Sequence, residues 1–170
     1  MNIPEVDYRI WKNDNFIIES TIIASLWNLE VINNFHKNLN KVLNEIYIKS
    51  DASFSNSKKL ISLSFSEDKK IIELNNSFRK INSATNVLSF PSHSKTENGL
   101  FLGDIIFSIE TITREAKRDN KSIDSHLLHL FIHGVLHLFG YDHETEEQAQ
   151  MMENLEIGIL RNLQIHNPYA

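Results

Sequence analysis

The chain has 170 residues, of which 41% are hydrophobic and 23% are charged, a balance typical of a globular protein. It has no cysteine, which excludes disulfides and thiolate metal ligands, and its net charge of −5 means that a nucleic-acid partner needs a local basic patch. No apolar stretch reaches the length of a membrane span. We therefore expect one domain over residues 1–170, in the cytoplasm and without a membrane contact.

The first part of the chain predicts one strand and one long helix. Apolar and polar residues alternate from Val6 to Trp11, as in a strand, whereas residues 13–27 fit no single pattern and stay unassigned. From about Leu29 the apolar spacing becomes helical. The buried stripe of this helix is expected to comprise Ile32, Phe35, Leu39, Val42, Leu43 and Ile46.

The middle of the chain predicts a strand, a helix and two further strands. Leu60 to Ser66 is the clearest strand, because apolar residues alternate with serines along it. The helix that follows ends near Arg79 and is expected to bury Ile71, Leu74 and Phe78.

The two further strands are separated by a polar segment. Val87 to Phe90 predicts a short strand closed by Pro91, which suits a strand end or a sheet edge. Residues 92–99 predict a flexible loop. Leu102 to Ile109 predicts the other strand, with a bulge or a close backbone approach at Gly103.

The last part of the chain predicts three helices. The first covers about residues 110–119, and Ser122 is a suitable N-cap for a central helix over about residues 123–139. This central helix is apolar almost all round, so we expect it to be buried. Thr145 to Gln148 has the form of a capping box for a last helix that buries Met152, Leu155, Ile159 and Leu163. Because the elements follow no regular βαβ repeat, we predict an α+β domain with a small mixed sheet against the central helix.

The central helix carries a pattern typical of a metal site. His133 and His137 lie four residues apart and therefore on one face, where one ion can bind both imidazoles. Gly140 suits the positive φ with which helices commonly end, so the chain can turn back and bring His143 to the same ion. Three neutral imidazoles with one open coordination position predict a catalytic zinc ion held by His133, His137 and His143.

One residue separates this pattern from the metzincin proteases, which share the spacing of the three histidines. Those proteases carry a glutamate directly after the first histidine as the general base. Here that position is Gly134, which has no side chain, so we expect a metal site without the proteolytic base. A metal ion can lower the pKa of bound water to about 7, so hydrolysis does not strictly require that base.

For other polar residues near the pattern, a structural role and a functional role both have to be considered. His126 and His129 are interpreted as buried, hydrogen-bonded histidines, with a supporting role behind the metal left open for His129. Asp142 suits a group that orients a ligand or moves a proton, and equally a cap of the turn. Arg79 is a candidate for phosphate recognition, because a guanidinium group stays charged and donates two parallel hydrogen bonds, although an arginine at a helix end is usually just solvated.

Three segments carry a family resemblance. They are Thr85-Asn86-Val87-Leu88-Ser89-Phe90-Pro91, Leu102-Gly103-Asp104-Ile105 and the block from His133 to His143. In this order and spacing they resemble the YbeY family of bacterial endoribonucleases and ribosomal RNA maturation factors, over about residues 60–163. One departure is Asn82, where the family commonly has Asp, and an amide keeps hydrogen bonding but loses the charge.

The resemblance implies a zincin-like fold, zinc on the three histidines, and a cleft between the metal and Arg79. It implies cleavage of single-stranded RNA in the maturation of the 3′ end of small-subunit ribosomal RNA and in ribosome quality control, with the small ribosomal subunit as a partner. Arg79 and His133 are then the catalytic candidates, and Ser89 is a candidate for lining the groove. Arg114, Lys117 and Arg118 are candidates for contacts to the RNA backbone, although a solvated helix face explains each of these three residues better.

Two other function classes stay open. The first is a different metallohydrolase, such as a peptidase, against which Gly134 argues. The second is a ribosome assembly factor without catalysis, whose metal is structural. The attacking group, water on the metal or the RNA 2′-hydroxyl, also stays open, and no side chain stands out as the general base.

Overall fold

The computed structural model describes residues 5–50 and 56–170, so residues 1–4 and 51–55 of the predicted domain lie outside the described residues. Within these ranges the strands are Val6–Lys12 (β1), Phe16–Ile23 (β2), Lys59–Ser66 (β3), Val87–Thr96 (β4) and Gly99–Ser108 (β5). The helices are Leu29–Lys49 (α1), Asp68–Arg79 (α2), Ile109–Arg118 (α3), Ile123–Leu138 (α4) and Glu146–Asn162 (α5).

The strands form one mixed sheet in the order β1-β2-β3-β5-β4. β2 pairs with β3 and β3 with β5 in parallel, whereas β1 pairs with β2 and β4 with β5 antiparallel. This mixed sheet, with the buried helix α4 packed against β4 and β5, confirms the predicted α+β class. Among the described residues no helix is both long enough and apolar enough to cross a membrane.

The core lies between the sheet and the pair of helices α1 and α4. All six residues of the predicted α1 stripe are buried. At the centre, the ring of Phe35 in α1 contacts Phe65 of β3 and Phe107 of β5 at centroid distances of 5.2 and 6.3 Å. It also contacts Phe131 of α4 at 5.1 Å, so these aromatic contacts fix α4 over the sheet.

Strand β2 lies in the segment that the sequence left unassigned. Its buried face alternates as expected for a strand, from Phe16 to Ile22. The pattern is hard to read because Ser20 takes one of the buried positions while Ile17 points the other way. Ser20 is accommodated there because its hydroxyl lies 3.1 Å from Nε2 of His36 on α1.

The prediction of a flexible loop over residues 92–99 is wrong. β4 continues to Thr96 and pairs with β5, with Lys95 opposite Leu100. Backbone hydrogen bonds of an antiparallel pair need no apolar side chains, and this end of β4 is polar because it is exposed at the sheet edge. A register shift between Pro91 and Ser94 interrupts the pairing. The predicted close approach at Gly103 is confirmed, because a Cβ there would lie 2.1 Å from the Phe90 carbonyl oxygen.

The buried stripe of α2 differs from the predicted one. Ile71 is buried and Leu74 is half-buried, but Phe78 is 69% exposed, so its predicted burial is wrong. Asn75 takes a buried position instead, and its amide donates to the Ser83 carbonyl at 2.9 Å. The inner face of α2 therefore holds the loop that follows the helix, and Phe78 is left outside.

Candidate metal centre and cleft

The end of α4 brings three histidines together. α4 ends at Leu138, and Gly140 has the predicted positive φ, at 94°. Tyr141 N–H donates to the Leu136 carbonyl and Gly140 N–H to the His137 carbonyl, both at 3.0 Å, which is the hydrogen-bond pattern of a Schellman motif.

The turn after α4 folds the chain back over the helix. The ring of His143 comes to lie 5.5 Å from the ring of His133 and 4.9 Å from the ring of His137. One nitrogen atom from each of the three residues lies within 4.8 Å of the others. The three histidines therefore form a group that could hold a metal ion.

Hydrogen bonds fix the tautomers of two of these histidines. Nδ1 of His133 lies 2.6 Å from a carboxylate oxygen of Glu156, and Nδ1 of His137 lies 2.9 Å from the Tyr141 carbonyl oxygen. Both oxygens can only accept, so both Nδ1 atoms donate. In a neutral ring the remaining Nε2 then carries a lone pair and no proton.

The two lone pairs face each other, because Nε2 of His133 and Nε2 of His137 are only 3.0 Å apart. Without a positive charge between them this contact is repulsive, so either a proton or a cation has to lie there. A proton is disfavoured, since burial and the neighbouring His133 and His143 lower the pKa of His137 to about 4. His137 is therefore neutral near pH 7, as a metal ligand must be, and the set of three imidazoles fits a metal ion.

Glu156 of α5 supports the centre from behind and was missed by the sequence analysis. Its side chain has no exposed surface, yet one oxygen accepts from His133 and the other from His129 Nε2 at 2.8 Å. Burial favours the neutral acid, but the hydrogen bonds from the two histidines outweigh it and lower the pKa of Glu156 to about 2. The ionised carboxylate thus sets the orientation of His133. The signal available in the sequence was an acidic residue within the predicted buried stripe of α5, between Leu155 and Ile159.

The residues around Glu156 complete its hydrogen bonds. The Tyr169 hydroxyl donates to the same oxygen that accepts from His129. His126, one turn before His129, is buried and bonds a Glu115 oxygen at 2.7 Å through Nε2. Both histidines are therefore hydrogen-bonded as interpreted, with His126 buried and His129 half-buried.

Gly134 lies where α4 packs against β4 and β5 of the sheet. A Cβ at this position would lie 3.1 Å from two side-chain carbons of Ile105 and 3.1 Å from Oγ of Ser89. These neighbours belong to β5 and β4, which hold them in place. A side chain at position 134 would need these neighbours to shift by a few tenths of an ångström, so the packing favours glycine over the glutamate that metzincins carry there.

A cleft of about 660 Å³ opens in front of the histidines. Its lining comprises Arg79, Thr85, Asn86, Val87, Ser89, Pro91, His133, His137, Gly140, Tyr141, Asp142, His143 and Glu144. The fold therefore brings Arg79 and the histidines, 54 or more positions apart in the chain, to one cavity. Among residues 5–50 and 56–170 the Arg79 guanidinium has no hydrogen-bond or ion-pair partner, so it is available for a ligand.

Comparison with known proteins identifies the family. A family profile described as Endoribonuclease YbeY matches residues 23–164. The chain belongs to the YbeY family. A protein of Bartonella quintana named Endoribonuclease YbeY is 41% identical over 158 residues, which cover 90% of this chain and 96% of that protein. A YbeY endoribonuclease of Agrobacterium fabrum is 49% identical over 113 residues, or 65% of this chain and 67% of that protein. The solution structure of a Thermotoga maritima protein aligns with a TM-score of 0.47 and 24% identity, over 79% of this chain and 85% of that chain.

Some candidate residues lie outside the cleft. Asn82, the departure from the YbeY pattern, is exposed and does not line it. Arg114 pairs with Asp68 at 3.8 Å and Arg118 with Asp119 at 2.6 Å, as expected of a solvated helix face. Asp142 lines the cleft, and its Oδ1 accepts the His143 backbone N–H at 2.8 Å, so it caps the turn.

Proposed function

We propose that the chain is a metal-dependent endoribonuclease that cleaves single-stranded RNA in the cleft between Arg79 and the three histidines. The observation that carries this proposal is that Nε2 of His133 and Nε2 of His137 face each other at 3.0 Å, an arrangement that suits a bound cation. They share a cavity with the Arg79 guanidinium, which has no ion-pair partner among the described residues. Membership of the YbeY family and relatives named as endoribonucleases give independent support.

His133, His137 and His143 are the proposed ligands, and zinc is the proposed metal, because three imidazoles without thiolate or carboxylate suit this ion. When bound, such an ion supplies Lewis-acid activation of water and stabilises negative charge on phosphoryl oxygens. Glu156 keeps the Nδ1 proton on His133 and thereby directs Nε2 towards the cavity.

Arg79 is the proposed catalytic residue on the wall of the cleft opposite the metal ligands. Its guanidinium forms no ion pair among the described residues, so it can donate two hydrogen bonds to a phosphate and stabilise the charge that develops there during cleavage. Ser89 and the backbone at Asn86 line the same wall and are proposed to hold the strand. The amide of Asn86 is itself fixed, because it donates to Glu115 at 2.9 Å.

We further propose that the substrate is the 3′ end of small-subunit ribosomal RNA, reached on the small ribosomal subunit in the cytoplasm. Support comes from the motif resemblance and from the family to which the chain belongs.

Metal content and RNA cleavage test the proposal together. We expect the mildly purified protein to hold one zinc ion per chain, and His143→Ala to hold far less. A single-stranded RNA should be cleaved by the parent, whereas Arg79→Ala and His133→Ala should lose at least about 100-fold in rate. Arg161→Ala is the matched control, because Arg161 is an exposed arginine of α5 that does not line the cleft. Normal cleavage by both Arg79→Ala and His133→Ala would show that the active-site assignment is wrong.

A further inference from the structure

Phe78 is an aromatic residue that packing within the chain does not explain. It is 69% exposed, and it is the one exposed phenylalanine among those the structure describes. Its ring lies 5.2 Å from the ring of Phe90 on β4, with an angle of 55° between the planes. One face of this aromatic pair is therefore supported from behind, and the other is open to solvent.

The pair lies directly beside the cleft. Phe78 precedes Arg79, and Phe90 stands between Ser89 and Pro91, and each of these three neighbours lines the cavity. Successive residues of a strand point to opposite faces, so Phe90 lies on the side of β4 away from the histidines. The aromatic surface thus continues the cleft wall around the free edge of the sheet.

The charge of this part of the chain suits a polyanion. From Leu74 to Thr96 there are three basic residues, Arg79, Lys80 and Lys95, and no acidic one, although the whole chain has a net charge of −5. This segment therefore carries a local positive charge, which suits contact with a nucleic acid better than the net charge of the chain does.

We propose that Phe78, backed by Phe90, stacks on a base of the RNA strand whose phosphate binds at Arg79; this subsite rests on the proposed function. Unpaired bases present open π faces, and exposed aromatic side chains beside basic residues are a general way to bind them. Such stacking accepts any base, so the subsite selects single strands over duplexes rather than one sequence over another. A stacked base would also cover the part of the Phe78 ring that is exposed in the described fold.

The test combines substitutions with RNA strands that lack one base at a time. Full-length, zinc-loaded protein is mixed with short labelled single strands, and affinity is read by stopped-flow anisotropy before turnover, with cleavage followed in parallel. For the parent we expect one abasic position to weaken binding about 10-fold. The Phe78→Ala variant should bind the intact strand more weakly than the parent by the same factor. Its affinity should not fall further when that strand carries the abasic position.

Three further variants separate stacking from other effects. Phe78→Tyr should bind like the parent, whereas Phe78→Leu, which keeps an apolar side chain without a ring, should bind like Phe78→Ala. Tyr8→Ala is the matched control, because Tyr8 is 56% exposed on β1, at the opposite edge of the sheet from β4. A 2-aminopurine at the sensitive position should be quenched by the parent and not by Phe78→Ala.

The outcomes distinguish this subsite from the proposed function. If Phe78→Ala binds the intact strand as tightly as the parent while both cleave it, the stacking site is wrong and the endoribonuclease function stands. If the abasic position and Phe78→Ala weaken binding equally and without adding, but the parent does not cleave the strand, stacking is supported and the endoribonuclease function is contradicted. A parent that neither binds nor cleaves single-stranded RNA overturns both.

Discussion

Glu156 accepts a 2.6 Å hydrogen bond from Nδ1 of His133, across 23 positions of sequence and between two different helices. The carboxylate is wholly buried and stays ionised because His129, His133 and Tyr169 all donate to it. One acidic side chain thus links α5 and residues near the end of the chain to the proposed metal ligand. Loss of either the carboxylate or its Tyr169 donor should therefore be measurable.

Glu156→Gln should lower zinc affinity by about 10- to 100-fold. The amide has one oxygen and one NH2 group, so either His129 or His133 would face a donor with its own N–H and lose its hydrogen bond. Affinity can be measured by competition with a chromogenic chelator. Glu147→Gln, at an exposed position of the same helix, should bind zinc like the parent. Equal affinity in the two variants would count against the orienting role of Glu156.

Tyr169→Phe should reduce the free energy of unfolding by about 1–3 kcal/mol, because it leaves a buried, charged acceptor with one donor fewer. Urea denaturation of the metal-free protein measures this directly. Tyr47→Phe is the control, since the structure records no hydrogen bond for the Tyr47 hydroxyl within the described ranges. If both variants unfold at the same urea concentration as the parent, the Tyr169 hydroxyl does not support Glu156.

Two helical glycines should respond to alanine in opposite directions. Gly134→Ala should destabilise the protein by about 1–2 kcal/mol, because the added carbon presses on Ile105 and Ser89. Among the described residues a Cβ at Gly158 would meet only Lys49, at 4.0 Å, so Gly158→Ala should stabilise α5 by roughly 0.5–1 kcal/mol. Thermal and urea denaturation of the two variants make the comparison, and a stabilised Gly134→Ala would show that α4 can move away from the sheet.

Acid should destabilise the protein partly through His36. Its Nδ1 donates to the Ile32 carbonyl at 2.9 Å, so Nε2 accepts from the Ser20 hydroxyl, and burial lowers the pKa of His36 below its ordinary 6.5. As the pH falls through about 6.5, His36 is protonated in the unfolded chain but not in the folded chain. The contribution of His36 to the free energy of unfolding is therefore complete above that pH and declines below it.

His36→Gln should therefore lose less stability than the parent between about pH 7.5 and 5.5, as measured by urea denaturation of metal-free protein. His166→Gln, at an exposed position, is the control. The buried His126 also has a lowered pKa and contributes in the same direction, so the parent's decline should shrink rather than vanish. An unchanged decline in His36→Gln would contradict the prediction.

The features that local spacing determines could be predicted from the sequence. The buried stripe of α1, the Thr145 capping box, the positive φ of Gly140 and the grouping of the three histidines each depend on residues within one or two helical turns. The α+β class followed from the order of such elements. Arg79 was placed in the cleft by a family resemblance, since no spacing relates it to the histidines.

Features that depend on tertiary contacts could not be predicted in the same way. Glu156 is ionised inside the core only because three donors from distant positions meet there. β4 extends through a polar segment because its partner β5 supplies backbone hydrogen bonds. Phe78 follows the periodicity of a buried residue, but the surface that would cover it is absent from the described fold.

The packing at Gly134 also bears on how two enzyme classes that share a ligand spacing stay separate. A peptidase of the metzincin type arising from this scaffold needs a carboxylate directly after His133, yet the first carbon of that side chain would lie 3.1 Å from Ile105 and Ser89. A single substitution therefore brings a loss of stability before any gain in activity. An evolving lineage would first have to widen the gap between the sheet and α4, so steric packing, rather than the spacing of the metal ligands, separates the two enzyme classes.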